Sequence, residues 1–174
     1  MGGQYRYSKR KGNPSLHARS TKKMRCPIIP YVEITQEVLD ALDEHKQLEG
    51  PERAGVLVGV VLGNNRYRIK KVSPSITIEG ATRTGCERDA QLANNFVQEQ
   101  YEQSGHTCVY MGEWHTHPEF NPTPSSVDIS SVINIYHLPN NNLPFIILCI
   151  IGLENIYWGY VINDRLMSLD VTII

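Results

Sequence analysis

One segment, residues 112–128 with the sequence GEWHTHPEFNPTPSSVD, constrains the fold more than any other. Its first part has the pattern of a β-strand, and side chains on a strand alternate between its two faces. His115 and His117 therefore point to the same side at the end of this strand. Pro118 lacks a backbone N–H and cannot continue a central strand, so the chain must turn directly after His117. The sequence thus predicts a strand whose end presents two imidazoles to one site.

The second half of this segment brings a carboxylate toward the two imidazoles. Pro122 and Pro124 keep the chain extended until Ser125, where a helix can begin. Asp128 then lies in the first helical turn, near the histidines if the loop folds back. Two neutral imidazoles and one carboxylate form the ligand pattern of a catalytic zinc, which leaves a fourth position for water. Ser125 and Asp128 also fit a capping box, which is a purely structural alternative.

The string His115-Thr-His117-Pro118, followed by Ser125-x-x-Asp128, resembles the signature of the JAMM metalloproteases. This family is also called MPN+ or JAB, and its members are zinc isopeptidases that remove ubiquitin or ubiquitin-like proteins from lysines. The family pattern has a further acid upstream, in a Glu-x-x-Gly-x-Leu-x-Gly setting, and residues 52–59 of this chain have that pattern. The motif looks closest to the bacterial JAB peptidases, including those of CBASS anti-phage operons and related bacterial ubiquitin-like conjugation systems.

The resemblance implies a role for each matching residue. His115, His117 and Asp128 would hold one zinc ion, Glu52 would act as the general acid/base, and the Ser125 hydroxyl would stabilise the oxyanion. The implied partner is a ubiquitin-like protein or its conjugate, with E1-like or E2-like enzymes of the same operon as further partners. Without the motif, Glu52 could equally cap the end of a strand or pair with a neighbouring arginine.

The hydrophobic patterns along the chain predict one α/β domain with a mixed β-sheet flanked by helices. At 174 residues and 41% hydrophobic content, the chain can bury a single core. This organisation resembles the JAB/MPN fold, which has a cytidine-deaminase-like architecture. A deaminase is disfavoured because its own metal motifs are missing. Helices are predicted over 34–48, 87–103 and 125–137, and strands over 54–62, 66–72, 107–114, 145–151, 156–161 and 165–173.

Some segments receive more specific predictions. Gly55 and Gly59 suit a strand that another group approaches closely. Residues 73–85 are either an ordinary strand and loop or an edge to which the extended C-terminus of a ubiquitin-like protein could add. The following helix is expected to turn one apolar face inward. That face consists of Leu92, Ala93, Phe96, Val97 and Tyr101.

The formal net charge of −1 hides a strong asymmetry. Residues 1–32 contain eight Lys or Arg and no acid, whereas residues 33–174 contain nine basic and eighteen acidic residues. We therefore predict a basic, flexible N-terminal tail over 1–32 and the metalloprotease-like domain over 33–174. The tail is either a solvated extension or a segment that docks onto an acidic partner or nucleic acid.

The cysteines and the apolar runs indicate the compartment. Cys26, Cys86, Cys108 and Cys149 show no paired spacing, so neither a zinc ribbon nor a redox dithiol is suggested. The tail lacks the apolar core of a secretory signal, and the longest apolar run, FIILCII, is too short to cross a membrane. A reducing cytoplasm without membrane contact is the simplest expectation.

Two other functional classes stay open. A non-catalytic MPN scaffold would use the fold only to hold partners, but such domains usually lack the metal ligands that this chain keeps. A RadC-like, nucleic-acid-associated protein also has a His-x-His motif and would suit the basic tail. Salt-sensitive DNA binding that depends on residues 1–32 would favour that class.

Overall fold

The computed structural model describes residues 29–139 and 141–174. These residues form a mixed sheet with helices packed on it, which confirms the α/β class. The predicted tail lies almost wholly outside the described residues. The elements in chain order are β1 (Tyr31–Ile34), α1 (Gln36–Asp43), β2 (Ala54–Gly63), β3 (Arg66–Val72), α2 (Ala90–Gln103), β4 (Cys108–Thr116), α3 (Ser126–Tyr136), β5 (Ile146–Ile151), β6 (Ile156–Ile162), β7 (Arg165–Ser168) and β8 (Val171–Ile173).

The sheet has the order β7-β6-β5-β4-β2-β3-β1-β8. β1 pairs in parallel with β3 and β8, and β4 pairs in parallel with β5, whereas the other neighbours are antiparallel. β4 therefore lies near the middle of the sheet, between β2 and β5. Its end is held by hydrogen bonds on both sides, which gives a rigid base to the side chains that follow.

The N-terminal part of the domain differs from the sequence prediction of one helix over 34–48. Residues 31–34 form β1, and α1 begins only after Thr35 and ends at Asp43. At the start of the predicted helix, Ile34 instead ends β1, whose backbone pairs with β3 and β8, and at its end residues 44–48 lie beyond α1. The predicted boundary between residues 32 and 33 consequently falls within a strand.

The single strand predicted over 165–173 is also wrong. It is divided into β7 and β8, which lie at opposite edges of the sheet although only two residues join them. The sheet must therefore curl until its two edges approach each other. Leu169 lies at the join, is 5% exposed, and donates its N–H to the Trp158 carbonyl at 3.1 Å.

The curled sheet is covered on both faces, which explains the continuous apolar sequence of β5. Alternate residues of β5 enter two different clusters. Ile147, Cys149 and Ile151 pack in the same cluster as the buried residues of α1. Ile146, Leu148 and Ile150 pack with Val132 of α3. Among the described helices, none is long and apolar enough to span a lipid bilayer.

The segment after β3 does not form a strand of the sheet. Thr77 makes only an isolated bridge to Arg88, and the neighbouring Ile78 N–H donates to the Glu87 carbonyl at 2.8 Å. Of the two alternatives for residues 73–85, the ordinary strand and loop is not found as a strand of the sheet, and the edge for the C-terminus of a ubiquitin-like protein stays a prediction. The segment folds back on the residues that lead into α2, so it forms a local ribbon and not an edge strand of the main sheet.

The inward face of α2 is narrower than the sequence predicts. Ala93 is 2% exposed, and Phe96 and Val97 are partly buried against the sheet. Leu92 is 50% exposed and Tyr101 36% exposed, so neither belongs to the core. The helix packs on β2 and β4 along one narrow stripe, because the ribbon after β3 already covers the adjacent surface.

Gly55 and Gly59 occupy positions where a side chain has no room, as predicted. A Cβ on Gly55 would lie 2.5 Å from Nε1 of Trp114, and one on Gly59 would lie 2.1 Å from the Arg68 carbonyl oxygen. Trp114 is fully buried on β4 directly before His115. Gly55 thus lets β2 and the end of β4 approach closely.

Candidate active site

The end of β4 presents His115 and His117 on one side of the sheet. His115 pairs with Ala54 on β2 and with Ile150 on β5, and the His117 N–H donates to the Ile151 carbonyl at 3.0 Å. Because strand side chains alternate, Thr116 between them points the other way and is fully buried. The two imidazole Nε2 atoms lie 3.1 Å apart.

Asp128 reaches both imidazoles from the first turn of α3. Its Oδ1 lies 3.4 Å from Nε2 of His115, and its Oδ2 lies 3.4 Å from Nε2 of His117. Burial alone would raise the pKa of Asp128, but hydrogen bonds from both histidines hold it well below its ordinary value. The Asp128 interaction in turn raises the pKa of His117. The loop therefore folds back as the sequence predicts.

These three side chains have the geometry of a zinc site. In a tetrahedral site with bonds of about 2.0–2.1 Å, neighbouring ligand atoms are about 3.4 Å apart. The two Nε2 atoms are 3.1 Å apart, and each lies 3.4 Å from one of the two oxygens of the Asp128 carboxylate, so the separations are close to that value. His115, His117 and Asp128 also form the one group of three convergent metal-binding side chains among the described residues. The donor set fits a single zinc ion with a fourth position open.

Glu52 lies beside this group, directly before β2. It is 6% exposed, and its backbone N–H donates to the Thr82 carbonyl at 2.8 Å. Burial raises the pKa of its carboxyl, and the charges of His117 and His115 oppose that effect. A buried carboxyl with a raised pKa is suited to accept a proton and release it again.

A cleft of about 710 Å³ joins these groups. Among the residues that the structure describes, its lining contains five acids but only one Lys or Arg, which is Arg88 paired with Glu113. Such a cleft favours a positively charged ligand. The acids are Glu52, Glu87, Glu113, Glu119 and Asp128.

Ser125 lines the same cleft at the N-cap of α3. Its Oγ accepts a hydrogen bond from the Asp128 N–H at 3.2 Å. Because the oxygen is the acceptor in that bond, the hydroxyl hydrogen can be donated toward the cleft. Ser125 therefore lies on the wall of the cleft with a hydroxyl hydrogen that is free to be donated.

Cys86 belongs to the loop between the ribbon and α2 and also lines the cleft. Burial and the neighbouring charge of Glu52 raise the pKa of its thiol to about 12. A thiol with that pKa is almost entirely protonated at neutral pH, so Cys86 does not have the properties of a nucleophile. Cys108 and Cys149 are buried in strands, as predicted.

Sequence reasoning missed two groups of residues around the site. Arg88 and Glu113 form a buried bidentate ion pair on the wall of the cleft, to which the Tyr110 hydroxyl also donates. Gln47 lies behind the site and is 1% exposed. Neither group belongs to a motif, and their partners are far apart in sequence, so no local pattern could identify them.

Comparisons with known proteins agree with this geometry. The profile of a family described as prokaryotic homologs of the JAB domain matches residues 35–156. A protein of Escherichia coli (strain TW11681) named CD-NTase/cGAS isopeptidase is 34% identical over 142 residues, which cover 80% of this chain and 87% of that protein. A Vibrio cholerae protein with the same name is 37% identical over 101 residues, which cover 56% of this chain and 63% of that protein.

The fold has a solved counterpart as well. A protein of Desulfitobacterium hafniense, whose structure was determined in solution, superposes with a TM-score of 0.63 at 17% identity. The superposition covers 82% of this chain and 92% of the other. At this identity the likeness concerns the fold alone.

Proposed function

Because the chain belongs to the family of prokaryotic homologs of the JAB domain, we propose that it is a zinc-dependent isopeptidase. The reaction would be cleavage after the C-terminus of a bacterial ubiquitin-like protein, or of a protein conjugated by an E1/E2-like system, in an anti-phage defence operon. The observation that carries the proposal is the convergence of His115, His117 and Asp128 beside the buried Glu52. A non-catalytic scaffold would have no need of this complete set.

Each residue of the site has a role in the proposed reaction. His115, His117 and Asp128 hold the zinc ion, which when bound supplies Lewis-acid activation of water near neutral pH. Glu52 accepts the proton of the attacking water and returns it to the leaving amine of the lysine. Burial of Glu52 raises its pKa and thereby increases its affinity for that proton. The Ser125 hydroxyl donates to the carbonyl oxygen as negative charge develops there.

The names of the relatives and the charge of the cleft support the choice of the first substrate to test. The two curated relatives are named isopeptidases of CD-NTase or cGAS, so a conjugate of a CD-NTase is the first substrate to test. The acidic lining suits the ammonium group that the lysine regains once the isopeptide bond is cleaved. The tail over residues 1–32 stays a proposed docking segment for an acidic partner or nucleic acid.

The test is cleavage of an isopeptide-linked CD-NTase conjugate by zinc-loaded protein. We expect the wild type to release the two proteins, and removal of zinc by a chelator to stop the reaction until zinc is added back. Glu52→Gln should keep its zinc but lose turnover, whereas Glu49→Gln, an exposed acid outside the cleft, should behave like the wild type. Normal turnover in Glu52→Gln would remove Glu52 from the mechanism. A zinc-loaded wild type that cleaves neither conjugate nor precursor would favour the scaffold.

A further inference from the structure

We propose that Gln47 and Thr116 form a positioning pair that holds the general base Glu52 in register with the two histidines. The inference rests on the proposed function, because it assigns to these residues an effect on the same reaction. Within the described part of the chain, no side-chain hydrogen bond of Gln47 or Thr116 goes to the imidazoles or to the carboxylate of the metal ligands. Both act through the backbone segments that carry the catalytic side chains.

Gln47 uses its whole amide group behind the site. Its Nε2 donates to the Gly50 carbonyl at 3.0 Å and to the Arg83 carbonyl at 3.1 Å. Its Oε1 accepts from Oγ1 of Thr116 at 3.2 Å. A side chain amide that is 1% exposed and makes three hydrogen bonds has one fixed orientation. Gln47 therefore joins the segment before β2, the loop before α2 and the end of β4.

Thr116 forms hydrogen bonds with both the backbone N–H and the backbone carbonyl of Arg53, the residue after Glu52. Its Oγ1 accepts from the Arg53 N–H at 3.0 Å, and its own N–H donates to the Arg53 carbonyl at 3.0 Å. Thr116 is fully buried and lies between His115 and His117 in the chain. These two hydrogen bonds therefore join the backbone next to Glu52 to the backbone between the two histidines.

The loop before α2 completes the arrangement. Glu52 donates its N–H to the Thr82 carbonyl at 2.8 Å, and the Thr82 N–H donates to the Gly85 carbonyl at 2.8 Å. The adjacent Cys86 lines the same cleft as Glu52. Gln47 donates a hydrogen bond to the Arg83 carbonyl in this loop. It therefore restrains both Glu52 and the loop that forms the adjacent wall of the cleft.

Loss of this pair should displace the base while leaving the metal ligands in place. A shift of about 1 Å in a catalytic group can cost on the order of a hundredfold in rate. His115 and His117 remain fixed by the pairing of β4 with its neighbours, and Asp128 remains fixed by α3. The expected signature is a fall in kcat without a fall in zinc affinity.

Four variants test the pair. Gln47→Met keeps the length of the side chain but removes its hydrogen bonds, and Thr116→Val removes the hydroxyl at nearly constant volume. We expect each to lower kcat by about tenfold or more, with zinc affinity unchanged. Thr116→Ser keeps the hydroxyl and should restore most of kcat. Gln100→Met changes another buried glutamine, on α2 away from the site, and should keep the wild-type kcat.

The double variant Gln47→Met/Thr116→Val measures whether the two residues act together. The two side chains share one hydrogen bond, so either single variant already removes it. The fold-decrease in kcat of the double variant should therefore be smaller than the product of the two single fold-decreases. If both single variants fold and keep kcat within about twofold of the wild type, the proposal is overturned. An equal loss in Gln100→Met would also overturn it, since the effect would then be general destabilisation.

Cys86 provides a second readout that needs no substrate. A thiol reagent followed by peptide mapping, in a Cys26→Ser background, reports how tightly the loop before α2 is held. Labelling of Cys86 should accelerate in Gln47→Met but not in Gln100→Met. If the zinc-loaded wild type cleaves no conjugate, the proposed function fails while this measurement still decides the coupling. Unchanged labelling of Cys86 in Gln47→Met would contradict the proposed link between Gln47 and the loop.

Discussion

Ser125 and Asp128 cap the N-terminus of α3 reciprocally while the same Asp128 carboxylate faces both histidines. The Ser125 N–H donates to Asp128 Oδ2 at 2.7 Å, and the Asp128 N–H donates to Ser125 Oγ at 3.2 Å. The sequence leaves the capping box and the metal site as alternatives, but in the structure the capping box leaves the Asp128 carboxylate facing both histidines, so the two are compatible. The cap fixes the direction of the carboxylate, as outer hydrogen bonds do for ligands in metal sites.

The double role of Asp128 can be separated by two substitutions. Asp128→Ala removes both the cap and the ligand, so we expect loss of zinc and a loss of about 1 kcal/mol in the free energy of unfolding of the zinc-free protein. Asp128→Asn keeps an oxygen for the Ser125 N–H and should bind zinc poorly while retaining more of that stability. Zinc content by mass spectrometry and urea unfolding measure the two effects. A wild type that takes up no zinc on titration would exclude the metal site.

The capping role and the proposed catalytic role of Ser125 can be separated in the same way. Ser125→Asn preserves a good N-cap residue but removes the hydroxyl donor. We expect normal zinc content and near-normal stability, with kcat lower by roughly 10²–10³-fold, the usual effect of losing one oxyanion donor. Steady-state cleavage of the conjugate gives the rate, and thermal unfolding gives the stability. An unchanged kcat would leave Ser125 with the capping role alone.

Glu33 should make the stability of the domain depend on pH in the acid range. Hydrogen bonds from Arg66 and then from Arg68 lower the pKa of this carboxyl below its ordinary value of 4.5. A lowered pKa in the folded state means that the stabilisation is fully present above pH 4.5 and is lost as the pH falls through the folded pKa. Glu33→Gln should therefore be less stable than the wild type at neutral pH, and the difference should shrink on acidification.

The control for that experiment is Glu49→Gln, which changes an exposed acid in the loop after α1. Unfolding by denaturant at a series of pH values gives the free energies. If the difference between wild type and Glu33→Gln stayed constant between neutral and acid pH, the ion pair with Arg66 and Arg68 would not be the source of the stabilisation.

Arg88 is expected to contribute more to stability than a surface arginine. Its Nη2 donates to Glu113 Oε1 at 2.8 Å, and the two side chains are 19% and 10% exposed. Arg88→Met would leave the Glu113 carboxylate buried with only Tyr110 as a partner, at a cost of about 3 kcal/mol. The double variant Arg88→Met/Glu113→Gln removes the uncompensated charge and should recover part of that loss. A free energy of unfolding within about 0.5 kcal/mol of the wild type for Arg88→Met would contradict this expectation.

The wrong predictions from the sequence concern elements whose partners are distant in the chain. The helix predicted over 34–48 begins too early, because Ile34 ends β1, which pairs with β3 and β8. The division of 165–173 into β7 and β8 has no marker in the local pattern. Curling of the sheet brings its two edges together, so that Leu169 and Asp170 suffice to lead from β7 at one edge to β8 at the other.

The placement of His115 and His117 on one side of β4, and of Asp128 in the first turn of α3, was determined by the sequence itself. The two-residue period of a strand and the first turn of a capped helix are local properties, so the spacing alone fixes these placements. The folding back of the loop that brings Asp128 to both histidines was decided by the tertiary structure. The tertiary structure alone decided how Glu52 meets them. The Glu52 N–H donates to the Thr82 carbonyl, and the adjacent Arg53 exchanges two hydrogen bonds with Thr116, which in turn donates to Gln47. Such bonds join segments far apart in the chain and leave no periodic pattern, because each is fixed by the packing of the whole sheet and not by neighbouring residues.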